Sequence, residues 1–227
     1  MAIHKVTAVI PAKNEALSVG LIVDKVSKYV SQVTVIDGNS TDSTLVTAKR
    51  AGAMVFIQRE RGKGSALKQA FRRIQGDAVV ILDADGSMRP EEIPAFMKIL
   101  NNNPEIDIVK GSRFLGNGYS EDISLLRRVG NMIFVLLVNL LWSTEYSDLC
   151  YGFGAFTISA MEKLAPRLES DNFEIETEIA IKAKKLGLKV VEIPSVELRR
   201  KHGKSNLNTL VDGAKILRRI FKEFFNR

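Results

Sequence analysis

The acidic pair Asp83 and Asp85 is the feature of the sequence that most directly implies chemistry. The carboxylates follow a short apolar run that begins near Ile81, and the small Ala84 between them lets both reach one cation. Carboxylate oxygens favour hard divalent ions, so the pair predicts a site for Mg²⁺ or Mn²⁺ that would stabilise negative charge on phosphate groups. The alternative is a tight turn, because Asp85 is followed by Gly86.

The segments that follow the other predicted strands are also polar. Residues 13–15 follow the first strand, Asp37 ends the second, and Ser112 and Arg113 follow the fifth. A single aspartate at such a position is more often a helix cap than a ligand. Since ligands of open α/β sheets bind beyond the carboxyl ends of the strands, the agreement among several strands predicts a binding site at that edge.

The elements that must position these residues alternate along the first half of the chain. Short apolar runs predict strands at 6–10, 33–37, 54–58, 78–83 and 106–111. Helical spacing predicts helices between them at 17–29, 42–51, 65–74 and 91–100. This alternation is typical of an α/β protein with a mostly parallel central sheet flanked by helices.

The pattern changes after Arg113. A polar loop extends to residue 122, and a long apolar helix is predicted at 123–142. The remaining predicted elements are a strand at 153–158, a helix at 174–186, a strand at 189–193 and a final helix at 207–225. We therefore predict one domain over 1–227, divided into a half at 1–113, a second half at 114–206 and a C-terminal amphipathic helix at 207–227.

Composition limits the partners without naming one. The net charge of +7 and the pI near 9.5 favour a polyanion, which nucleic acid, anionic lipid and a diphosphate all satisfy. Cys150 is the only cysteine, so an intrachain disulfide is excluded and a reducing cytoplasm fits. The longest apolar run, 132–142, is shorter than the roughly 20 residues of a membrane span. We therefore expect no transmembrane segment, and a core helix at this position.

Two nucleotide-binding motifs are absent from the sequence. No Gly-x-Gly-x-x-Gly follows the first strand, and Gly62-Lys63-Gly64-Ser65 lacks the spacing of a Walker loop. Hydride transfer and P-loop phosphoryl transfer are therefore excluded. The segment at Gly62 does begin a helix, so it could present backbone N–H groups and the Lys63 ammonium to a phosphate, or be only a flexible helix start.

Several motifs, taken in their order along the chain, resemble the family-2 glycosyltransferases of GT-A fold, and among these the dolichol-phosphate mannosyltransferase group. They are Ile10-Pro11-Ala12-Lys13-Asn14-Glu15, Asp37-Gly38-Asn39-Ser40-Thr41-Asp42-Ser43-Thr44, Gly62-Lys63-Gly64, Asp83-Ala84-Asp85, Gly111-Ser112-Arg113-Phe114, Asp148-Leu149-Cys150-Tyr151-Gly152-Phe153, Phe173-Glu174-Ile175-Glu176 and Arg200-Lys201-His202-Gly203-Lys204-Ser205. The match covers nearly the whole chain. Gly86-Ser87-Met88 departs from the Leu-Gln-like continuation usual in that group, which leaves the identity of the sugar open.

The resemblance implies a role for each matching residue. Asp83 and Asp85 would hold Mg²⁺ or Mn²⁺, and Arg113, Arg127 and Arg200 match positions associated with donor or acceptor phosphates. The donor-binding residues that it implies are Pro11, Ala12, Asn14, Glu15, Asp37, Lys63, Asp83, Ala84, Arg200, His202, Lys204 and Ser205. The half at 1–113 would then bind the nucleotide sugar, and the half at 114–206 would face the acceptor.

The acceptor determines whether the reaction needs a base. A lipid phosphate is already an anionic nucleophile, so its transferase needs positioning and electrostatics, whereas a hydroxyl acceptor needs a carboxylate base. Asp148 and Glu176 are the candidate bases, although Asp148 could instead be a cap and Glu176 a buried ion-pair partner. With Asp85, Arg113 and Arg127 they complete the predicted catalytic set.

The resemblance and the residues together predict an inverting enzyme that moves a hexose from a GDP- or UDP-sugar to a polyprenyl phosphate at the cytoplasmic membrane face. Transfer to a soluble or protein hydroxyl is the alternative. A basic nucleic-acid-binding module is a third interpretation, which the low aromatic content of 7% disfavours. In the last helix, an apolar face from Leu207 to Phe224 lies beside basic residues, which suits a membrane surface, the domain or a second subunit.

Overall fold

The apolar runs form a seven-stranded sheet in the computed structural model, which describes residues 3–203 and 205–226. Its strands are β1 Val6–Ala12, β2 Gln32–Asp37, β3 Met54–Ile57, β4 Ala78–Ile81, β5 Ile108–Ser112, β7 Gly154–Thr157 and β8 Val190–Pro194. Two short strands, β6 Tyr119–Ser120 and β9 Val196–Glu197, pair with each other in parallel. All seven predicted strands are confirmed, with ends that shift by a few residues.

The order of the strands in the large sheet is β3-β2-β1-β4-β7-β5-β8. All neighbouring pairs are parallel except those of β7, which runs antiparallel to β4 and β5. The predicted mostly parallel sheet is therefore confirmed. The carboxyl ends of β1, β2, β4, β5 and β8 lie at one edge, and the beginning of β7 lies at the same edge. Strands from both sides of Arg113 contribute to this one sheet.

Helices cover both faces of the sheet. They are α1 Val19–Val26, α2 Thr44–Arg50, α3 Lys63–Phe71, α4 Ile93–Asn102, α5 Leu125–Trp142, α6 Ile158–Leu164, α7 Ile175–Lys185 and α8 Thr209–Phe225. The sequence analysis missed α6, β6 and β9, which are short elements without a complete apolar period. One core cluster contains Phe96 and Phe153, and a second, containing Leu67 and Ile175, uses other residues of the same strands. Each strand contributes residues to both clusters, because successive side chains along a strand point to opposite faces of the sheet.

The prediction of a core helix at 123–142 is wrong. Only Asn131, Phe134 and Val138 of α5 are buried, whereas Leu136 and Leu140 are 68% and 75% exposed. Within the described residues, α5 is the one helix that is long and apolar enough to cross a membrane, by length and composition alone. The expectation of no transmembrane segment rested on the apolar run at 132–142, whereas α5 begins seven residues before that run.

The last helix packs on the protein through a face that its pattern did not predict. Ile216 and Ile220 of α8 are buried against α5 and α7, whereas Leu210 and Phe221, on the predicted apolar face, are 74% and 45% exposed. Arg219 Nη1 lies 3.4 Å from Oε1 of the buried carboxylate of Glu178 in α7. Ionic and apolar contacts together fix α8 beside α5, so both helices form one wall of the functional site.

Candidate active site

Two cavities meet at the carboxyl edge of the sheet. The first, of about 360 Å³, lies beyond β1 and β4, and we call it the donor cavity. Its lining is mostly polar, and Gly38, Gln58 and Arg61 extend it towards β2 and β3. Of the predicted donor-binding residues, it contains Pro11, Ala12, Glu15, Lys63, Asp83, Ala84, Arg200 and Ser205. The structure thus brings together eight of these residues from distant parts of the chain.

The second cavity, of about 400 Å³, is amphipathic, and we call it the acceptor cavity. Its charged floor includes the predicted catalytic residues Asp85, Arg113, Arg127 and Glu176. Its other walls come from α5, α8 and the residues just before them, and are mostly apolar. The aliphatic and aromatic residues of these walls are Ile123, Leu126, Ile133, Phe134, Leu207, Leu210, Ala214, Ile216 and Leu217.

A common boundary joins the two cavities. Six residues line both of them: Lys63, Asp83, Asp85, Phe173, Arg200 and Ser205. A group bound in one cavity therefore reaches a group bound in the other at the two aspartates. This is the arrangement that transfer between two substrates requires, because the reacting atoms must come within about 3–3.5 Å of each other.

Two cations bind the acidic residues of this boundary. Lys63 Nζ lies 2.7 Å from Asp83 Oδ1 and 2.8 Å from Glu176 Oε1. Burial lowers the pKa of the Lys63 ammonium, but the two carboxylates outweigh burial and raise it above its usual value. Burial raises the pKa of Glu176, and Lys63 opposes this shift. Glu176 Oε2 is buried and has no hydrogen-bond partner among the described residues.

Arg200 forms the second bridge, between the loops that follow β1 and β4. Its Nη1 donates to Glu15 Oε1 at 2.9 Å, and its Nη2 donates to Asp85 Oδ2 at 2.6 Å. The other oxygen of Asp85 accepts the backbone N–H of Ser87 at 2.9 Å. Burial raises the pKa of Glu15, and Ser18 and Arg200 oppose this shift.

Close backbone approaches fix the position of Lys63. A Cβ on Gly62 would lie 2.1 Å from the carbonyl oxygen of Asp171, and one on Gly64 would lie 2.4 Å from that of Ser170. Gly62 also has a φ of +103°, which L side chains rarely adopt. The two glycines therefore let α3 begin against the 170–172 segment, which directs Lys63 to the carboxylates. Neither of the two earlier interpretations, a phosphate-binding helix start or a flexible one, includes this packing role.

The acidic pair fits a divalent cation. Both aspartates line both cavities, and Asp83 has a partly exposed side chain at 28%. No group of three or more His, Cys, Asp or Glu residues suited to a metal occurs within the described ranges. Mg²⁺ in nucleotide sites is commonly held by one or two carboxylates together with substrate phosphates and water, so a two-carboxylate site matches that pattern.

Asp148 lies outside both cavities, and its predicted role as a base is not supported. Its side chain is fully buried, and Arg113 donates to it through Nε at 2.7 Å and Nη2 at 3.0 Å. Burial raises the pKa of Asp148, but Arg113 and Lys110 outweigh burial and hold it below its usual value. Arg113 Nη1 also donates to Glu197 Oε2 at 3.1 Å. The buried carboxylate therefore orients Arg113, which lines the acceptor cavity.

Three of the remaining predicted donor-binding residues, Asn14, Asp37 and His202, do not line the donor cavity. Asn14 Oδ1 accepts the backbone N–H of Thr41 at 2.8 Å and so braces two loops. Asp37 is buried, with Oδ2 accepting from Ser40 N at 3.1 Å and Oδ1 unpaired within the described residues. His202 lines a different cavity, of about 230 Å³, on another side of Asp85. Lys204 lies outside the described residues.

Arg127 connects the two helices that form the apolar walls. From the first turn of α5, its Nη2 donates to the carbonyl of Leu207 at 3.1 Å, and its Nε donates to Thr209 Oγ1 at 3.2 Å. Nη2 also lies 3.4 Å from Ser205 Oγ. Arg127 therefore holds the segment before α8 over the acceptor cavity while its guanidinium contributes positive charge to that cavity.

Sequence reasoning missed several residues of the two cavities. Gln58 lines the donor cavity and directly follows β3. The expectation that ligands bind beyond the carboxyl ends of the strands therefore applies to this residue as well. Phe173 belongs to a motif that was recognised, but no role was assigned to its ring. Glu197 lies on the two-residue strand β9, and nothing in the sequence marks it. Leu126 and Ile133 were taken as core residues because their helix is apolar.

Comparisons with known proteins agree with this geometry. Residues 7–165 match the family model described as glycosyl transferase family 2. The glycosyltransferase AglJ of Haloferax volcanii is 34% identical over 218 residues, which are 93% of this chain and 69% of that protein. The dolichyl-phosphate hexose transferase of the same organism is 26% identical over 212 residues, 92% of this chain and 89% of that protein.

Solved structures show the same fold. Glucosyl-3-phosphoglycerate synthase from Mycobacterium tuberculosis, crystallised with Mn²⁺ and UDP-glucose, has a TM-score of 0.78 at 20% identity. The alignment covers 97% of this chain and 79% of that one. The same synthase in complex with phosphoglyceric acid has a TM-score of 0.80, also at 20% identity, and covers 97% of this chain and 80% of that one. The predicted GT-A architecture is confirmed.

The ion pair between Asp148 and Arg113 gives a stability test. We expect Asp148→Asn to lower the free energy of unfolding at pH 7 by about 3 kcal/mol, because it removes the buried carboxylate that accepts from two nitrogens of Arg113 and leaves only Glu197 to balance the guanidinium. The folded-state pKa of Asp148 is lowered from 3.8, so its contribution is present above that pH and is lost as the pH falls through the folded pKa. The difference between the two proteins in urea unfolding should therefore shrink below pH 4.

Asp122 provides the matched control for this test, because it is exposed. Asp122→Asn should change the unfolding free energy by less than about 0.5 kcal/mol. An Asp148→Asn protein as stable as the unmodified chain would contradict a structural role for the buried carboxylate.

Proposed function

Because the chain belongs to glycosyl transferase family 2, we propose that it moves a hexose from a nucleoside diphosphate sugar to a polyprenyl phosphate, with inversion at the anomeric carbon. One observation carries this proposal: a polar cavity and an apolar-walled cavity share a boundary that contains Asp83, Asp85, Lys63 and Arg200. A charged donor and an amphipathic acceptor are the two substrates that such a pair of cavities would receive.

On the donor side, Asp83 and Asp85 would hold Mg²⁺ or Mn²⁺ against the diphosphate. A bound divalent cation supplies Lewis-acid stabilisation of the negative charge on the leaving nucleoside diphosphate. Lys63 and Arg200 add positive charge from the protein, and the planar fork of Arg200 suits two phosphate oxygens. The Mycobacterium tuberculosis synthase has been crystallised with Mn²⁺ or Mg²⁺ and UDP, which supports the same cofactor class here. The assay should therefore test both GDP-sugars and UDP-sugars as donors.

On the acceptor side, the charges and the apolar walls suit the two parts of a lipid phosphate. Arg113 and Arg127 line the floor near the aspartates, where guanidinium groups bind phosphate oxygens. Leu126, Ile133 and Leu210 line the walls, where a hydrocarbon chain loses its contact with water. A phosphate oxygen attacks the anomeric carbon without first losing a proton, so these residues position the nucleophile rather than activate it. The dolichyl-phosphate hexose transferase relative has an acceptor of this class by its name.

A transfer assay tests the proposal directly. Labelled UDP-glucose or GDP-mannose, a detergent-solubilised polyprenyl phosphate and Mn²⁺ should yield a labelled product that extracts into organic solvent. Asp85→Asn should reduce its formation at least about 100-fold, because it removes a charged ligand at the diphosphate. Asp24→Asn, an exposed change on α1, should leave the rate unchanged. Full transfer by Asp85→Asn, or no transfer from any sugar nucleotide, would refute the proposal.

Transfer to a hydroxyl acceptor is the second candidate, and Glu176 is the observation that favours it. Its buried carboxylate has an unpaired oxygen, a raised pKa and a place in the acceptor cavity, which are properties of a general base. The structurally similar synthase has been crystallised with phosphoglyceric acid, which is not a lipid.

Glu176→Gln separates the two acceptor classes. Loss of a base should lower hydroxyl transfer about 100-fold or more, whereas transfer to a phosphate should fall by less than about tenfold. We expect the second result with polyprenyl phosphate, measured by initial rates beside Glu162→Gln, an exposed control on α6. If Glu176→Gln instead lowers the transfer rate equally with every acceptor, the substitution acts by removing the ion pair with Lys63 and not by removing a base.

The proposal includes docking on the cytoplasmic face of a membrane, because a polyprenyl phosphate resides there. Support comes from α5, whose outward apolar residues Leu125, Met132, Leu136 and Leu140 are 59–77% exposed. Arg127 and Arg128 lie in its first turn, where they would meet lipid phosphates. Leu126 and Ile133 are exposed on the same helix and also line the acceptor cavity, so a lipid would pass from the membrane to Asp85 along one helix.

Vesicle co-sedimentation tests this docking. The unmodified chain should sediment with vesicles that contain anionic phospholipid. The double change Leu136→Glu and Leu140→Glu should weaken binding at least about tenfold, because it places charges where two exposed leucines would enter the membrane. Val46→Glu is the matched control, since Val46 is 46% exposed on α2. Equal binding by all three proteins would contradict docking through α5.

A further inference from the structure

Both oxygens of Asp85 are occupied within the protein itself. Oδ2 accepts from Arg200 Nη2 at 2.6 Å, and Oδ1 accepts from the backbone N–H of Ser87 at 2.9 Å. A metal would need one of these oxygens at about 2.0–2.2 Å. The guanidinium on Oδ2 would then lie next to a dication, and like charges at such distances repel strongly in a partly buried site.

We propose that Arg200 is a positioning residue that occupies Asp85 until a donor binds, and that it then transfers to the donor diphosphate and releases Asp85 to the metal. This inference rests on the metal-dependent transfer proposed above. It adds that the ligand-free protein binds the divalent cation weakly, and that metal and nucleotide bind together.

The backbone around Arg200 limits this exchange to a side-chain movement. Leu198 N donates to the carbonyl of Ser87 at 2.8 Å, and Glu197 forms a β-bridge with Met88. These contacts tie the segment that carries Arg200 to the loop that carries Asp85. The guanidinium can therefore leave Oδ2 while its backbone stays beside the aspartate.

The diphosphate offers Arg200 a better partner at the same place. Arg200 lines both cavities, and a diphosphate presents several anionic oxygens to its planar fork. Glu15 would keep one side of the guanidinium within reach, because Nη1 donates to Glu15 Oε1 at 2.9 Å. The divalent cation and the diphosphate bring opposite charges to the boundary, and Arg200 stays there. The total charge at the boundary therefore changes little when the metal replaces Arg200 on Asp85 and Arg200 moves to the phosphates.

Lys63 differs from Arg200 because it is enclosed and has a second carboxylate that lies outside the proposed metal pair. Its ammonium lies between Asp83 and Glu176, and a Cβ on Gly152 would lie 2.9 Å from both Lys63 Nζ and Glu176 Oε1. Lys63 is thus enclosed and keeps Glu176 if Asp83 turns to the metal. Asp85 is therefore the ligand whose availability Arg200 controls.

Coupling of this kind is reciprocal. If a nucleotide raises the affinity for the metal by removing Arg200 from Asp85, the metal raises the affinity for the nucleotide by the same factor. The cell interior holds divalent cations at all times, so the arrangement would prevent the metal from occupying the site before a donor arrives.

Mn²⁺ binding to the complete chain without nucleotide tests the inference, measured from the loss of the free-Mn²⁺ electron paramagnetic resonance signal. Arg200→Gln should bind Mn²⁺ at least about tenfold more tightly than the unmodified chain, because the competing cation is gone. Arg199→Gln is the matched control, since it removes the same charge from the neighbouring exposed residue, and it should leave Mn²⁺ affinity unchanged.

Arg200→Gln affinity equal to that of the unmodified chain would overturn the inference. If Arg200→Gln does not fold, as judged by circular dichroism, Arg200→Lys decides the question. Arg200 reaches Glu15 and Asp85 through two separate nitrogens, and a single ammonium at this position should hold Asp85 less firmly, so Mn²⁺ should bind several-fold more tightly. Asp85→Asn tests the underlying site: Mn²⁺ binding to this variant that equals that of the unmodified chain, after subtraction of the Mn²⁺ bound by UDP or GDP alone, would remove the metal proposal itself, whatever Arg200 does.

Discussion

Two aspartates placed two residues apart in a partly buried cleft repel each other unless cations lie beside them. Lys63 and Arg200 provide that charge, and each also binds a second carboxylate from elsewhere in the chain. The bridges therefore connect the segments after β1 and β4 with the beginnings of α3 and α7 and the segment after β9. The shape of both cavities depends on these connections, because the same side chains form the boundary between them.

The rest of the fold makes such close contacts sterically possible. Gly62 and Gly64 let the beginning of α3 touch the 170–172 segment, and Gly152 leaves room for the Lys63 and Glu176 pair at the start of β7. Because β7 is antiparallel to its neighbours, its beginning reaches the edge at which the parallel strands end. Buried ion pairs also occur away from this boundary, as those of Arg113 with Asp148 and of Arg219 with Glu178 show.

The two cavities differ in the polarity of their walls. The sheet edge supplies charged and polar groups to the donor cavity, while α5 and α8 add apolar walls to the acceptor cavity. One helix, α5, has an inner face that packs on the protein, an outer apolar face and an arginine at its beginning that ties it to α8. The charged donor and the amphipathic acceptor that we propose as substrates match these two surroundings.

The sequence by itself determined the mostly parallel sheet and predicted a binding site at the edge where Asp83 and Asp85 lie. These are local signals, because apolar runs and the polar residues that follow them are neighbours along the chain. The motifs also identified most residues of the donor cavity. Only the tertiary structure decided that Asp148 is buried behind Arg113, that His202 lies on another side of Asp85 and that α5 is largely exposed. Arg200 and its partners Asp85 and Glu15 are 115 and 185 positions apart, and no local spacing encodes a contact of that range. Periodicity likewise shows that a helix has apolar residues, but which of them are covered depends on the elements that pack against it.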